Sequence, residues 1–255
     1  MSYLAFDTST AYTTVAISNG DGLILAKEKN TNLYAQAKIL IPLLQKVMSK
    51  SKKTFSDLDA IYVVKGPGSF TGIRLGLAVA MGFKAASNID SSHDKKIEIK
   101  SLSAFDAIAY ALDLETRKKY SSFPLLIILD TKRDDFFVQP FSAYDADQML
   151  RTPLFAPKCL SKEELEVLIK SKNNWVLTGH GLNHTCFLSM NIFQKYPSLT
   201  VLDSFSHATA SRILLARKYL EKNNRLLNNL SPLYLRPAYV HEQQKKRMPN
   251  KHPLR

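Results

Sequence analysis

The chain has 255 residues, 45% hydrophobic and 22% charged, a globular composition with enough apolar material for two moderate lobes. Its two cysteines, Cys159 and Cys186, form no CxxC pair, and no apolar run approaches the ~20 residues needed to span a bilayer. The opening MSYLAFDTST carries no basic segment before an apolar run, so a reducing cytosol is the expected location, and the net charge of +13 fits either simple solubility or a polyanionic partner.

In chain order, Tyr3–Phe6 reads as a short buried strand ending in the polar turn Asp7-Thr8-Ser9-Thr10. Thr13–Ser18 and Leu23–Ala26 flank the hairpin signal Asn19-Gly20-Asp21-Gly22, so the chain opens as a three-strand meander. Leu33–Met48 has helical period. Ala37, Ile41, Leu44 and Met48 form one apolar stripe, Leu40, Leu43 and Val47 a second, and Ile39 widens the band. A surface helix needs only one stripe to cover its own sheet, so this one has surplus contact surface. Pro42 falls inside it and is expected to bend it.

Ala60–Val64 is a strand, followed by a glycine-rich loop, Gly66-Pro67-Gly68-Ser69-Phe70-Thr71-Gly72, and a helix over Ile73–Ala86. The strand–loop–helix context can gather an anion. The spacing is neither a P-loop nor a Rossmann fingerprint. The competing reading is a tight turn with Thr71 capping the helix. Gly72, Gly76 and Ala80 then recur every four residues as a smooth face for a partner helix, and close packing is the favoured reading. A polar loop over Asn88–Lys96, a strand at Ile97–Ile99 and a helix over Ser103–Leu112 with a serine cap follow.

The opening then recurs. Leu125–Thr131 resembles Ser2–Thr8 at an offset that places Asp130 on Asp7, Thr131 on Thr8 and Val138 on Val15. After it come a helix at Lys162–Ile169, a strand at Trp175–Leu177, the turn Thr178-Gly179-His180-Gly181 and a long helix at Ala208–Leu220. A strand, an Asp-Thr turn, a hairpin and a crossover helix, built twice, is the layout of the two-lobed actin-like ATPase fold of sugar kinases and heat-shock ATPases. The expected division is residues 1–115 for the first lobe, 116–238 for the second and 239–255 for a basic tail, in which Lys245, Lys246, Arg247, Lys251 and Arg255 form an unpaired cationic run. In that fold Asp7, Ser9, Thr10 and Asp130 take the phosphate-side positions and Gly179 and Gly181 the adenosine-side turn. They form either a weak nucleotide site or its remnant, with the remnant favoured, since hydroxyls can satisfy turn amides without a ligand.

Four stretches, GPGSFTGIRLGLA, LAFDTST, LDTKRDDFF and PLYLRPA, resemble the bacterial TsaB (YeaZ) family, in register from Tyr3 to about Tyr239. Departures are Tyr34 where a histidine is usual, Asp134 and Asp135 in the second turn, and a longer polar segment around Ser91–Lys96. The resemblance implies the actin-like ATPase fold and a role in forming N6-threonylcarbamoyladenosine beside the anticodon of ANN-decoding tRNAs. It implies a non-catalytic scaffold that pairs with the catalytic subunit TsaD through the two first-lobe helices and acts with the ATPase TsaE, and that is either a homodimer or a monomer when alone. It also implies no cofactor of its own beyond weak ATP or ADP binding, the metal belonging to the partner; the basic tail is either a phosphate contact to the tRNA or a solvated end without a role.

The His-x-x-x-His pair by which the catalytic relative holds its metal is absent from the first lobe. His180 and His184 have that spacing in the second, where Gly181 weakens a helix and no carboxylate lies nearby in sequence. Ser69 lacks the glycine that a nucleophile elbow requires, which leaves a peptidase without a positive sign. A small-molecule kinase or ATPase of the same fold stays open beside the scaffold, since the two Asp-Thr turns permit it.

Overall fold

The computed structural model describes residues 1–32, 35–89, 96–145, 151–172, 174–203 and 206–236, with the side chains of 113–118 excepted. The polar segment around Ser91, the residue Tyr34 and the basic tail lie outside the described residues.

The first lobe runs β1 (Ser2–Asp7), β2 (Thr13–Asn19), β3 (Ile24–Asn30), α1 (Gln36–Ser51), β4 (Ala60–Val64), α2 (Phe70–Ile89), β5 (Glu98–Leu102) and α3 (Ala104–Tyr120). The second runs β6 (Leu125–Asp130), β7 (Asp135–Phe141), β8 (Lys158–Ser161), α4 (Lys162–Lys170), β9 (Val176–Thr178), α5 (Thr185–Leu188), α6 (Ile192–Lys195), β10 (Thr200–Leu202) and α7 (Ala210–Lys222). The first sheet has the order β3-β2-β1-β4-β5 and the second β8-β7-β6-β9-β10. Each pairs its first strand antiparallel with the second and parallel with the fourth. One unit is built twice, and the fold is that of the actin-like ATPases.

Period-two alternation sorts the strands' side chains into separate cores. Leu4, Phe6, Ile61 and Val63 face outward onto Leu40, Leu44 and Val47 of α1 and onto Ile73 and Leu77 of α2. Tyr3, Ala5, Tyr62 and Val64 face inward and join Leu125, Ile127 and Leu129 of the second sheet around α3 and α7. The outer side of the second sheet, with Leu126, Ile128 and Phe136, is covered by α4, α5 and α6 through Leu165, Phe187 and Ile192. The result is five layers, with α3 and α7 in the middle. Buried positions follow one another without a break from Ala104 to Leu112, as a helix enclosed between two sheets requires.

The gap-free offset between the two copies fails beyond the turn. Asp7 pairs with Thr14, whereas Asp130 pairs with Phe136, so the second turn is one residue tighter and Val15 matches Phe137 rather than Val138. The end of the chain also departs from its expected place. Though it follows the second-lobe strands, α7 packs on the first lobe: the Arg217 guanidinium lies 3.9 Å from the Tyr3 ring centroid, and Tyr62 donates to Glu221 at 2.7 Å. Leu227 then exchanges backbone hydrogen bonds with Ser101, and the Leu233 N–H donates to the Lys65 carbonyl, which carries the chain along the first lobe to Arg236.

Ser69, not Thr71, caps α2. Its Oγ accepts from the Gly72 N–H at 3.2 Å, and its carbonyl accepts from Ile73, so the helix starts earlier than the periodicity implies. Helix α1 continues through Pro42, which is exposed, so the Lys38 carbonyl it leaves without an amide partner lies on the water side.

Candidate functional site

The glycine-rich loop is stitched to the first hairpin turn. The Ser69 N–H donates to the Ser9 carbonyl at 2.6 Å, and Thr8 Oγ1 donates to the Gly72 carbonyl at 2.7 Å. Gly68 has φ +155°, and a Cβ there would collide with the Ser9 carbonyl oxygen. At Gly72 a Cβ would strike the Thr8 carbonyl oxygen, and at Gly76 it would come within 2.6 Å of Thr8 Oγ1 and 3.4 Å of Val63. The loop's glycines thus bring α2 down onto β1 rather than open a cradle for an anion. Gly66 and the buried Pro67 start the same turn, where the Leu233 carbonyl passes close to Gly66.

This packing corrects the interface expected on Gly72, Gly76 and Ala80. All three are buried against their own sheet, as are Leu44 and Met48 of α1. The stripe that α1 turns inward comprises Leu40, Leu43, Leu44, Val47 and Met48, which leaves Ala37 and Ile41 outside. On α2 the outward face carries Ala78, Met81, Gly82 and Ala85, two residues displaced from the buried small-residue repeat. Met81 is 55% exposed, Ile41 45%, and a Cβ on Gly82 would meet nothing within 4 Å. Phe70 and Thr71 lie exposed at the start of α2, where Phe70 stacks on Tyr234 with Arg74 over its ring. A 20-residue helix whose only charged side chains are Arg74 and Lys84 therefore presents an apolar, small-residue surface beside α1.

The two Asp-bearing turns are built differently. Asp7 is buried, and its Oδ1 accepts from the Ser9 N–H at 2.8 Å. Burial pushes its carboxyl up to about 6 against the pull of hydrogen bonding from Ser9. Ser9 Oγ is buried with no hydrogen-bond partner among the described residues, and Thr10 hydrogen-bonds within its own turn to Tyr12. Asp130 is also buried. Burial raises its carboxyl, but the backbone N–H of Lys132 at 2.6 Å and the Lys132 ammonium outweigh this and hold it below its usual range.

Gly179 and Gly181 press against the backbone of Ile128, which leaves no room for a Cβ at either position, so both serve close approach to β6. The histidines nearby are brought to Asp130 by the fold, which their distance in sequence concealed. His180 Nδ1 accepts from the Asp130 N–H at 3.2 Å, and His184 Nε2 lies 3.8 Å from Asp130 Oδ1 while its Nδ1 caps α5. Tyr12 meets His207 edge-on at 5.2 Å between ring centroids, and His207 stacks on His180 at 5.1 Å. A ladder of three rings thus runs from the first hairpin turn to the second. Desolvation lowers His180 to about 3 and His207 to about 4, so both rings are neutral at physiological pH. Among the described residues no group of three His, Cys, Asp or Glu side chains is placed to hold a metal ion, and no helix is long and apolar enough to cross a membrane.

Two lobes of one repeated unit, meeting at facing hairpin turns, define the actin-like ATPase fold. Residues 34–164, about half of the chain, match the family described as TsaD, tRNA N6-adenosine threonylcarbamoyltransferase. The TsaB protein of Buchnera aphidicola subsp. Baizongia pistaciae, a tRNA threonylcarbamoyladenosine biosynthesis protein by name, is 24% identical over 237 residues, which cover 91% of this chain and 96% of that one. The Escherichia coli TsaB protein is 34% identical over 89 residues, 35% of this chain and 38% of that protein. The structure of YeaZ from Pseudomonas aeruginosa superposes with a TM-score of 0.68 at 20% identity, covering 92% of this chain and 99% of that chain, and shows the same fold. The chain belongs to the threonylcarbamoyltransferase family, and within it to the TsaB (YeaZ) proteins.

Proposed function

We propose that this chain serves tRNA threonylcarbamoyladenosine biosynthesis in the cytoplasm as a non-catalytic partner subunit. It docks the outward faces of α1 and α2 onto a TsaD-type catalytic subunit, and a TsaE-type ATPase acts with the pair. The observation that carries this reading is the outward face of α2, where Ala78, Met81, Gly82 and Ala85 lie exposed in a chain otherwise rich in surface lysine and arginine. Contiguous apolar surface on a charged protein marks a contact site, and small residues allow two helices to approach closely. The names of the relatives that match along their length support the pathway.

In this reading the metal belongs to the partner, and the chain's own cleft takes no nucleotide. Support comes from the side chains at the positions a nucleotide would need. Asp130 is already engaged by Lys132, Asp7 is enclosed with Ser9, and Gly179 and Gly181 are occupied by the Ile128 backbone. The basic residues Lys245, Lys246, Arg247, Lys251 and Arg255 supply phosphate contacts to the bound tRNA. Reconstitution tests the assignment. The chain alone should leave an ANN-decoding tRNA unmodified, and product should form when TsaD-type and TsaE-type subunits are added. Modification by the chain alone would contradict it.

A further inference from the structure

A cavity of about 530 Å³ lies between the lobes, within the size range of small-molecule sites. Its polar wall is drawn from Lys65 at the end of β4, Asp106 in the first turn of α3, Gln139 on β7 and Arg225 just past α7. Its apolar wall includes Phe155 and Leu233. Asp106 and Gln139 are buried at 7% and 3% exposure, so the polar floor is built into the fold rather than spread over a surface.

The hydrogen bonds show which groups are already engaged. Ser103 Oγ accepts from the N–H groups of Phe105 and Asp106, so the α3 terminus is closed by its own cap. Arg225 directs Nε and Nη2 at Asp106 Oδ1, at 3.0 and 2.7 Å, which leaves its Nη1 edge uncommitted among the described residues. Lys65 makes no ion pair within 4 Å among the described residues. Two cations face one carboxylate, so the cavity carries one net positive charge beside an apolar wall. Burial lowers the Lys65 ammonium, with Asp106 only partly offsetting it, which is the condition an arriving anion would relieve.

We propose that this cavity binds a small organic anion. Its carboxylate or phosphate meets Lys65 and the free edge of Arg225, and its planar or apolar body lies against Phe155 and Leu233. Gln139 contacts a polar edge of that body. Because the walls come from both lobes and from the segment after α7, occupancy ties these parts of the chain together.

The test is calorimetric titration of the full chain with adenosine monophosphate, benzoate and inorganic phosphate as probes. At least one of the two ring-bearing probes should bind with a Kd below about 1 mM, and phosphate, which lacks the body, more weakly. Which of the two binds identifies the anionic group. Lys65→Met should weaken binding by about tenfold or more, the loss of one charge-assisted contact. Phe155→Ala should weaken the ring-bearing probe and leave phosphate unchanged. Asp7→Asn, in the cleft between the hairpin turns, should change nothing, which separates this cavity from a nucleotide site there. Failure of all three probes to bind, undiminished binding in Lys65→Met, or loss of binding in Asp7→Asn would each overturn the proposal.

Discussion

Gly76 of α2 sits directly on Thr8 of β1, so close that a Cβ on Gly76 would come within 2.6 Å of Thr8 Oγ1. Gly82, six residues further along the same helix, faces open space. Overpacking a close-packed contact costs about 1–3 kcal/mol, while an exposed helical glycine gains from replacement by a better helix former. Gly76→Leu should therefore lower the melting temperature or prevent folding, and Gly82→Leu should leave the isolated chain at least as stable as wild type. Thermal denaturation followed by circular dichroism checks both.

Asp7 offers a second test through pH. Its folded pKa of about 6 stands above the ordinary 3.8, so the folded state binds the proton more tightly than the unfolded state. The sign follows: this carboxyl contributes a stability loss that grows as pH rises from about 4 to about 6, reaching up to ~3 kcal/mol at neutral pH. Asp7→Asn retains an acceptor for the Ser9 N–H and removes the charge. The variant should be more stable than wild type at pH 7, and the difference should shrink toward zero near pH 4. Equal pH profiles for the two proteins would refute the buried charge.

His207 works in the opposite sense. Its folded pKa of about 4 lies below the unfolded 6.5, so the unfolded chain takes up the proton first and stability falls as pH drops through 6.5 toward 4. Besides burial, the cations Lys29, Arg212 and Lys132 disfavour its charged form, and the neutral His180 ring stacked on it supplies no compensating charge. His207→Phe keeps an aromatic ring between Tyr12 and His180 without a titrating nitrogen. Its acid-induced loss of stability should be smaller than that of wild type by about 2 kcal/mol at pH 4, allowing for screening at the partly exposed ring. Urea midpoints measured between pH 7 and pH 4 report the difference.

Much of the architecture was legible in the residues. The Asp-Thr turn after an apolar strand appears twice, and the hairpin signal and serine cap stand where the structure has them. Faces were harder to assign. Small residues recur every four positions on α2 in two registers, Gly72-Gly76-Ala80 and Ala78-Gly82-Ala86, and only the packing of Thr8 decides which of them is inside. The same ambiguity affected α1, where Leu44 and Met48 of one apolar stripe join the second stripe in the buried face while Ala37 and Ile41 stay outside. The ring ladder of Tyr12, His207 and His180, the approach of the histidines to Asp130, and the return of α7 to the first lobe are contacts between distant segments. No local pattern encodes them.

The central claim concerns the outward face of α2 and is tested most directly by sedimentation velocity on the chain mixed with a TsaD-type subunit, comparing wild type with Met81→Glu. Met81 is exposed in the isolated chain, so the substitution should leave its fold and melting temperature unchanged. Buried at the centre of an interface, the new carboxylate would lie unpaired, at a cost of about 3–5 kcal/mol, which corresponds to a loss of affinity on the order of 100-fold or more. The account predicts a heterodimer with wild type and separate species with the variant at the same micromolar concentration. A folded Met81→Glu variant that pairs as tightly as wild type would contradict it.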